Sequence, residues 1–160
     1  MVIEVKPIGV IHSPYRRPVD IPRPKKYDPH RHDATRGEIE VFPEYEEGLK
    51  DIEGFSHLIV LFSFHKSDKT HLTAHPPYQN KPRGVFATRS PHRPNLIGMT
   101  VVELHGREGN ILRISGIDMI EGTPVLDIKP YTLRDQKKNI RLGWIASAMN
   151  GKTETEIKRD

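Results

Sequence analysis

Prolines and glycines cut this chain into short pieces, and that sets the first limit on its fold. Fourteen prolines and twelve glycines are spread through 160 residues. Between them no segment sustains the 3.6-residue apolar period of a long amphipathic helix. What remains are short runs rich in Val, Ile, Leu and Phe, bounded by turn residues, which is the pattern of β-strands. Strands are expected at Val2–Ile11, Glu38–Phe42, His57–Phe64, Ile97–Leu104, Ile111–Ile117 and Val125–Tyr131, with Val85–Ala87 as a further short buried strand. His57–Phe64 is the most apolar run and belongs in the core. On Val125–Tyr131 the two-residue period puts Asp127 and Lys129 opposite Leu126 and Ile128. Pro43–Ile52 reads as a short helix, with proline at its start, acids in its first turn, and Leu49 and Ile52 on one face. Gly106–Asn110 and Glu121–Pro124 read as turns. Many strands at short spacing, without alternating helices, exclude a Rossmann-type sheet. Neither Gly-x-Gly-x-x-Gly nor Gly-x-x-x-x-Gly-Lys-Ser/Thr occurs. The expected class is all-β and mostly antiparallel, as a barrel or a strongly curled sheet.

A chain of 160 residues suits one domain and should bury roughly 70% of its unfolded surface, so its core needs no covalent staples. Cysteine is absent, which excludes disulfides and thiolate chemistry. The first ten residues carry Glu4 and Lys6 and no long apolar run, which argues against a signal peptide, and nothing elsewhere is long enough to span a bilayer. The expectation is a soluble intracellular protein. A net charge of +4 and a pI near 9.3 fit contact with a polyanion.

Three stretches carry candidate chemistry. In Gly84–Leu104, the loop Thr88–Asn95 holds two prolines, two arginines, a histidine and an asparagine. Pro91 and Pro94 fix φ and keep their preceding residues extended, so Arg89, Arg93 and Asn95 are held rather than free. A stiff loop of donors between strands suits an anionic or planar ligand; the competing view is that its arginines only face water. The second stretch, Pro14 to Arg36, is broken by five prolines. Its Arg16, Arg17, Arg23, Lys25, Lys26, Arg31 and Arg36 outnumber Asp20, Asp28 and Asp33. It reads either as an arm that grips phosphates or closes over a ligand, or as a solvated loop. Tyr15 and Tyr27 beside these cations suit bases. Third, His65-Lys66 leaves the most apolar strand, and Asp118, Glu121 and Asp127 gather about one turn. The acids are either ordinary turn residues or a patch for a cation or ribose hydroxyls. His71 and His75 are spaced like helical zinc ligands, but Pro76-Pro77 follow and no third ligand is evident; His30-x-His32 is no better, and no metal site is expected.

Longer strings are more specific. Gly9-Val10-Ile11-His12-Ser13-Pro14-Tyr15, Gly54-Phe55-Ser56-His57-Leu58 with Phe64-His65, the run Gly84 to Met99 and the run Glu121 to Tyr131 resemble, in order and spacing, the TrmO family, also called YaeB or TsaA-like. The resemblance covers about residues 6 to 131. It implies a single-sheeted β-barrel over 1–140, with 141–160 a partly disordered extension. It implies a cytoplasmic methyltransferase that uses S-adenosylmethionine to methylate N6 of threonylcarbamoyladenosine in tRNA, beside the anticodon. The family works as a homodimer with cofactor near the subunit interface. Some members carry a further C-terminal domain, whose share in tRNA binding is then absent or replaced here. Carried onto this sequence, the cofactor-binding residues would be Pro24, Lys25, Lys26, His65, Lys66, Arg89, Asp118, Glu121, Gly122, Thr123 and Pro124. The catalytic residues would be Arg93, Asn95, His65 and Asp127, and Arg16, Arg17 and Arg23 would meet RNA. The acceptor's threonyl carboxylate calls for an arginine fork, and its delocalised nitrogen calls for a base, with His65, His92 and Asp127 as candidates. Two other functions stay open: a non-catalytic RNA-binding barrel, and a small-molecule enzyme using a metal.

Overall fold

The computed structural model describes residues 1–150. The expected fraying of the tail falls on residues outside that range. Among the described residues, eight strands run in chain order: β1 Gly9–His12, β2 Arg36–Val41, β3 His57–Ser63, β4 Thr73–Ala74, β5 Arg83–Gly84, β6 Ile97–Glu108, β7 Ile111–Ser115 and β8 Pro124–Pro130. Six of them close a barrel in the order β1-β2-β7-β6-β3-β8, every neighbour antiparallel. β4 and β5 form a separate two-stranded ribbon. The α-helix α1 spans Trp144–Asn150, and the remaining helical pieces are short 3-10 turns.

Several strands differ from the sequence expectation for identifiable reasons. β1 begins at Gly9, not Val2; Val2, Ile3 and Val5 are 89%, 75% and 66% exposed. Pro7 has no N–H to give to a ladder, and pairing stops beside it at Ile8, which donates to Val125 O and accepts from Phe42 N. Val85–Ala87 is a 3-10 turn, not a strand: Val85 is buried but Phe86 is 75% exposed. β6 runs on through Glu108, so the turn shrinks to Gly109-Asn110, with Gly109 at φ +59°. β7 stops at Ser115 because Gly116 turns away at φ +93°. The helix expected at Pro43–Ile52 is two 3-10 turns, Pro43–Leu49 and Ile52–Gly54, split at Asp51, whose φ is +67°. In β8 a bulge intervenes: Leu61 faces Asp127 but Phe62 faces Val125. The extra residue, Leu126, breaks the two-residue period, so Val125 and Ile128 point inward together, and Asp127 and Lys129 lie on the outer wall.

Inside the barrel, alternate residues of each strand interdigitate: Ile11, Ile39, Val41, Leu58, Val60, Phe62, Val102, Leu112, Ile114 and Val125 are all buried. Leu49 also joins this core, as do Ile117 and Met119 from the β7–β8 connection. Strand closure is tight: a Cβ on Gly98 would sit 2.3 Å from the Phe62 ring lying across it. A barrel of about eight strands already has an interior that side chains just fill. With six strands this one is narrower and holds no ligand inside, so binding must happen on the rim or the outer wall.

The topology then fixes which rim. The ends of β1, β3 and β7 and the starts of β2, β6 and β8 lie together, since His12 pairs with Glu38, Ser63 with Ile97, Arg36 with Ser115 and Val10 with Pro124. Three connections therefore leave one end: the arm 13–35, the segment 64–96 and the segment 116–123. The other end carries the 42–56 connection and the tight turn Gly109-Asn110.

Candidate functional site

The loop Thr88–Asn95 is stiff for more reasons than its prolines. Thr88 closes back on Val85 through its amide at 3.1 Å and its hydroxyl at 2.9 Å. Ser90 N donates to Thr88 Oγ1 and His92 N to Ser90 Oγ, both at 3.3 Å. Arg93 is half-buried, and its Nη1 donates to Thr88 O at 2.9 Å and Ser90 O at 3.4 Å. Much of Arg93 thus braces its own loop. Arg89 is exposed, and no protein group among the described residues pairs with its guanidinium. Asn95 and Leu96 sit back to back in the left-handed region, at φ +63° and +51°, a conformation that asparagine tolerates better than most residues and that leucine does not adopt freely.

The exit of β3 is tied to this loop. Phe64 N donates to Leu96 O at 2.8 Å, and His71 N to His92 O at 3.1 Å. A 2.7 Å hydrogen bond joins Ser67 Oγ and His92 Nδ1. His65 and Lys66 therefore stand on the same rim as Arg89 and Asn95. Burial first, then the Lys66 charge, holds the His65 ring pKa below its ordinary value, leaving it neutral and able to accept a proton near pH 7.

Across the rim, the turn Asp118–Pro124 is stitched to the root of the arm. Glu121 N donates to Tyr15 O at 2.7 Å, Gly122 N to Ile11 O, and Ile11 N to Thr123 O. Ser13 Oγ donates to Met119 O at 2.6 Å. Both Glu121 oxygens are engaged: His12 Nδ1 reaches Oε1 at 2.7 Å, and Ser13 N donates to Oε2 at 2.8 Å. His12 Nε2 reaches Glu40 at 3.1 Å. An imidazole with a carboxylate at each nitrogen can donate to both only as the imidazolium, so this pairing favours the protonated ring. Its pKa is raised, by the Glu121 bond most of all, against the opposing effect of burial, with Glu40 adding to the rise. Sequence inspection missed His12 because Glu121 lies 109 residues away. Thr123 is buried with its hydroxyl on Ile120 O, and Pro124 opens β8. Asp118 accepts from Thr100 Oγ1 at 2.6 Å through Oδ1.

The arm has one firm anchor. His32 is 9% exposed, edge-on to Tyr15, whose hydroxyl bonds Thr35 Oγ1 at 3.2 Å. Arg31 Nε donates to His32 Nε2 at 2.9 Å. The proton is therefore on Nδ1, which is buried without an acceptor. Burial, with Arg31 second, lowers the ring's pKa. Arg16, Arg23, Lys25 and Lys26 are exposed and Pro24 half-buried. Arg17 is exposed but paired with Asp20 at 3.0 Å, which reduces what it offers to another anion. Tyr27 meets Tyr78 edge-on, Tyr78 stacks on Trp144, and Arg83 lies over the Trp144 ring at 5.7 Å. Trp144 Nε1 also donates to Ala87 O at 2.8 Å. This aromatic chain joins arm, loop and α1, and sequence inspection missed it because its members are scattered.

Asp127 is not part of the rim cluster. It faces Leu61 on the outer wall, with Lys129 Nζ on its carboxylate at 2.8 Å. Two surface clefts, one lined by Pro43, Glu46, Lys50 and Arg107 and one by Phe55, His57, Tyr131 and Leu133, also lie away from Arg89–Asn95. Among the described residues no group of three or more His, Asp or Glu side chains is placed to hold a metal. His71 and His75 flank β4 rather than sharing a helix face. No described helix is long and apolar enough to cross a membrane.

Comparisons with known proteins agree on one family. The model of the tRNA-methyltransferase O N-terminal domain matches residues 10–135. A probable S-adenosyl-L-methionine-binding protein of Pyrococcus abyssi is 47% identical over 146 residues, covering 91% of this chain and 77% of that protein. The tRNA (adenine(37)-N6)-methyltransferase of Homo sapiens is 41% identical over 139 residues, covering 84% of this chain and 32% of that enzyme. The crystal structure of TrmO from Pseudomonas aeruginosa superimposes with a TM-score of 0.71 at 40% identity, over 89% of this chain and 62% of that one. The chain thus spans about a third of the human relative and under two thirds of the crystallised one.

Proposed function

Because the chain belongs to the family of the tRNA-methyltransferase O N-terminal domain, we propose that it methylates N6 of threonylcarbamoyladenosine in tRNA, beside the anticodon, with S-adenosylmethionine as donor. The observation that carries this is topological. A barrel with a filled interior sends its basic arm, its arginine loop and its acid-bearing turn to one rim, where a flat, carboxylate-bearing nucleoside and a zwitterionic cofactor can meet.

The residues present fit the cofactor. His32 has a buried N–H that lacks an acceptor, and S-adenosylmethionine offers a carboxylate, ribose hydroxyls and adenine nitrogens. His32 and Asp118 would hold it, with Pro24, Lys25 and Lys26 of the arm and His65-Lys66 around it. When bound, it supplies an electrophilic methyl carbon on a positively charged sulfur. Glu121, Gly122 and Thr123 act here through structure. Their polar groups are spent on β1 and on the turn itself, which fixes the turn against the arm.

Arg89 binds the threonyl carboxylate of the acceptor, being exposed and unengaged, and Arg93 positions it by bracing the loop. A planar fork on a carboxylate contributes both energy and orientation. His65, neutral at physiological pH, takes the proton that N6 loses, and Asn95 donates to the polarised carbonyl. Stiffness in both loops supplies the rest by restricting the angle of approach. Ile97, Met99 and Val101, 47%, 43% and 39% exposed along the outer face of β6, form the apolar strip for a homodimer, which would bring a second subunit beside Arg89–Asn95. The protein acts in the cytoplasm, where its substrate is. Calorimetry with S-adenosylmethionine, then mass spectrometry of nucleosides from treated tRNA, tests the proposal. A mass gain of one methyl on threonylcarbamoyladenosine is expected; cofactor binding without that product in any tRNA refutes it.

A further inference from the structure

Phe86 has no role in the site described so far. It is 75% exposed, against 39% for Phe55 and 38% for Tyr45. Its backbone is held on both sides. Val85 is 1% exposed and donates to Leu72 O at 2.9 Å; Ala87 O accepts from Trp144 Nε1; and Thr88 N closes the turn on Val85 O. The ring is therefore presented by a fixed turn rather than by a loose loop. A cation lies beside it: Arg93 Cζ is 6.0 Å from the ring centroid, and the same guanidinium is pinned to Thr88 O and Ser90 O. Leu72, whose carbonyl takes the Val85 amide, is 71% exposed, and Arg89 is exposed three residues beyond Phe86.

An exposed aromatic ring costs free energy in water, and a neighbouring cation raises its attraction for another flat π system. Unpaired nucleobases are recognised in this way, stacked on aromatic or guanidinium planes, with basic side chains on the phosphates either side. We propose that Phe86, with Arg93 beside it, is the stacking platform for an unpaired nucleobase adjacent to the reacting adenosine in the RNA loop. The proposal rests on the tRNA-methyltransferase function above and names the part of the rim that receives the RNA. The cations about Phe86 favour a nucleic acid over a second copy of this chain, whose apolar counterpart is the β6 strip.

The test uses the full chain and a stem-loop RNA carrying 2-aminopurine on either side of the target adenosine. Stacking on Phe86 should quench the fluorescence of one of the two probes. Phe86→Ala should abolish that quench and weaken RNA binding by about 5- to 150-fold. The salt slope should stay unchanged, since no phosphate contact is lost. Phe86→Tyr should keep quench and affinity; Phe86→Leu, which keeps bulk but no π face, should lose both. Calorimetry with S-adenosylmethionine should be unaltered in all three, which shows the fold and cofactor site intact. Wild-type affinity in Phe86→Ala, or in Phe86→Leu, overturns the proposal, as does a shift from dimer to monomer in light scattering on Phe86→Ala. If the wild-type chain methylates no tRNA while Phe86→Ala still loses quench and affinity, the platform stands and the methyl-transfer function falls. Methylation that survives Phe86→Ala with unchanged RNA affinity removes the platform and leaves the methyl-transfer function standing.

Discussion

Replacing His12 by Gln should lower stability in a way that depends on pH with a definite sign. His12 joins the end of β1 to Glu40 of β2 and to Glu121 in the turn before β8. Glu38 stands directly opposite on β2, and Arg16 also acts on Glu121. The folded pKa of His12 is raised. Its contribution is therefore full below the unfolded value near 6.5 and is lost as pH rises through the folded value. Glu121 is lowered on balance, with the Ser13 amide and His12 outweighing burial. Its contribution is present above its unfolded value and lost as pH falls through the folded one. The clamp thus works in the window between the two folded values. All three side chains are 42–43% exposed, so each pair is discounted to the surface range of about 0.2–1 kcal/mol, and the two together give about 1 kcal/mol. For a chain of this size that is about 2–4 °C in Tm. Thermal melts of both proteins from pH 5 to pH 9 should show the variant melting lower at pH 6 and the gap closing as pH rises. A gap of constant size at every pH would mean that His12 acts by packing rather than charge. The looser turn should also raise the KM for S-adenosylmethionine.

Three other perturbations separate the roles proposed for the rim. Arg89→Ala should leave Tm unchanged and lower kcat/KM on threonylcarbamoylated tRNA by about ten- to a hundredfold, the loss of one charge-assisted bond, while Arg93→Ala should lower both activity and Tm because two backbone carbonyls lose their donor; melts beside steady-state assays decide, and an Arg89→Ala enzyme with normal kcat/KM would remove it from the site. Charge reversal at Arg16 and Arg23 should flatten the salt dependence of tRNA binding by about 0.7–0.9 in log–log slope per lost phosphate contact, and Arg17, already paired with Asp20, should matter less; an unchanged slope places the arm outside the RNA interface. Met99→Glu with Val101→Glu on the outer face of β6 should give a folded monomer by light scattering and near-wild-type circular dichroism, and a persistent dimer would put the interface elsewhere.

What the sequence made legible was whatever depends on near neighbours. β3 and β7 were readable because alternation and β-branched residues act within a few positions, and the stiffness of Thr88–Asn95 because proline acts on its own φ and on the residue before it. The misses arise where distant partners decide. Val85–Ala87 has strand-like residues, yet the chain turns there, buries Val85 and leaves Phe86 out; propensity cannot see that choice. The bulge at Leu126 inverts one stretch of the β8 period, and only pairing with β3 reveals it. The prolines foretold that Arg93 would be held, but not that its guanidinium would be the brace. His12 with Glu121, His32 with its unmet donor, and the Tyr27–Tyr78–Trp144 chain are tertiary facts with no local signature.

The strain at Asn95 and Leu96 connects these levels. Among the described non-glycine residues, positive φ occurs at Asp51, Asn95, Leu96 and Asn139, and the only adjacent pair lies where the arginine loop enters β6. Asparagine and aspartate tolerate this region, so the cost, on the order of 1 kcal/mol, falls chiefly on Leu96. Glycine would relieve it but would also let the loop relax in other directions. The chain instead keeps Asn95 and Leu96 there and restrains them, through the Leu96 carbonyl bonded by Phe64 N and the Leu96 amide bonded to Arg93 O. The first of these restraints comes from the residue that follows β3, whose Leu58, Val60 and Phe62 lie in the core. Rigidity made in the filled core is thereby carried out to the rim, where an interior too narrow for ligands leaves loop geometry as the means of aligning two reactants.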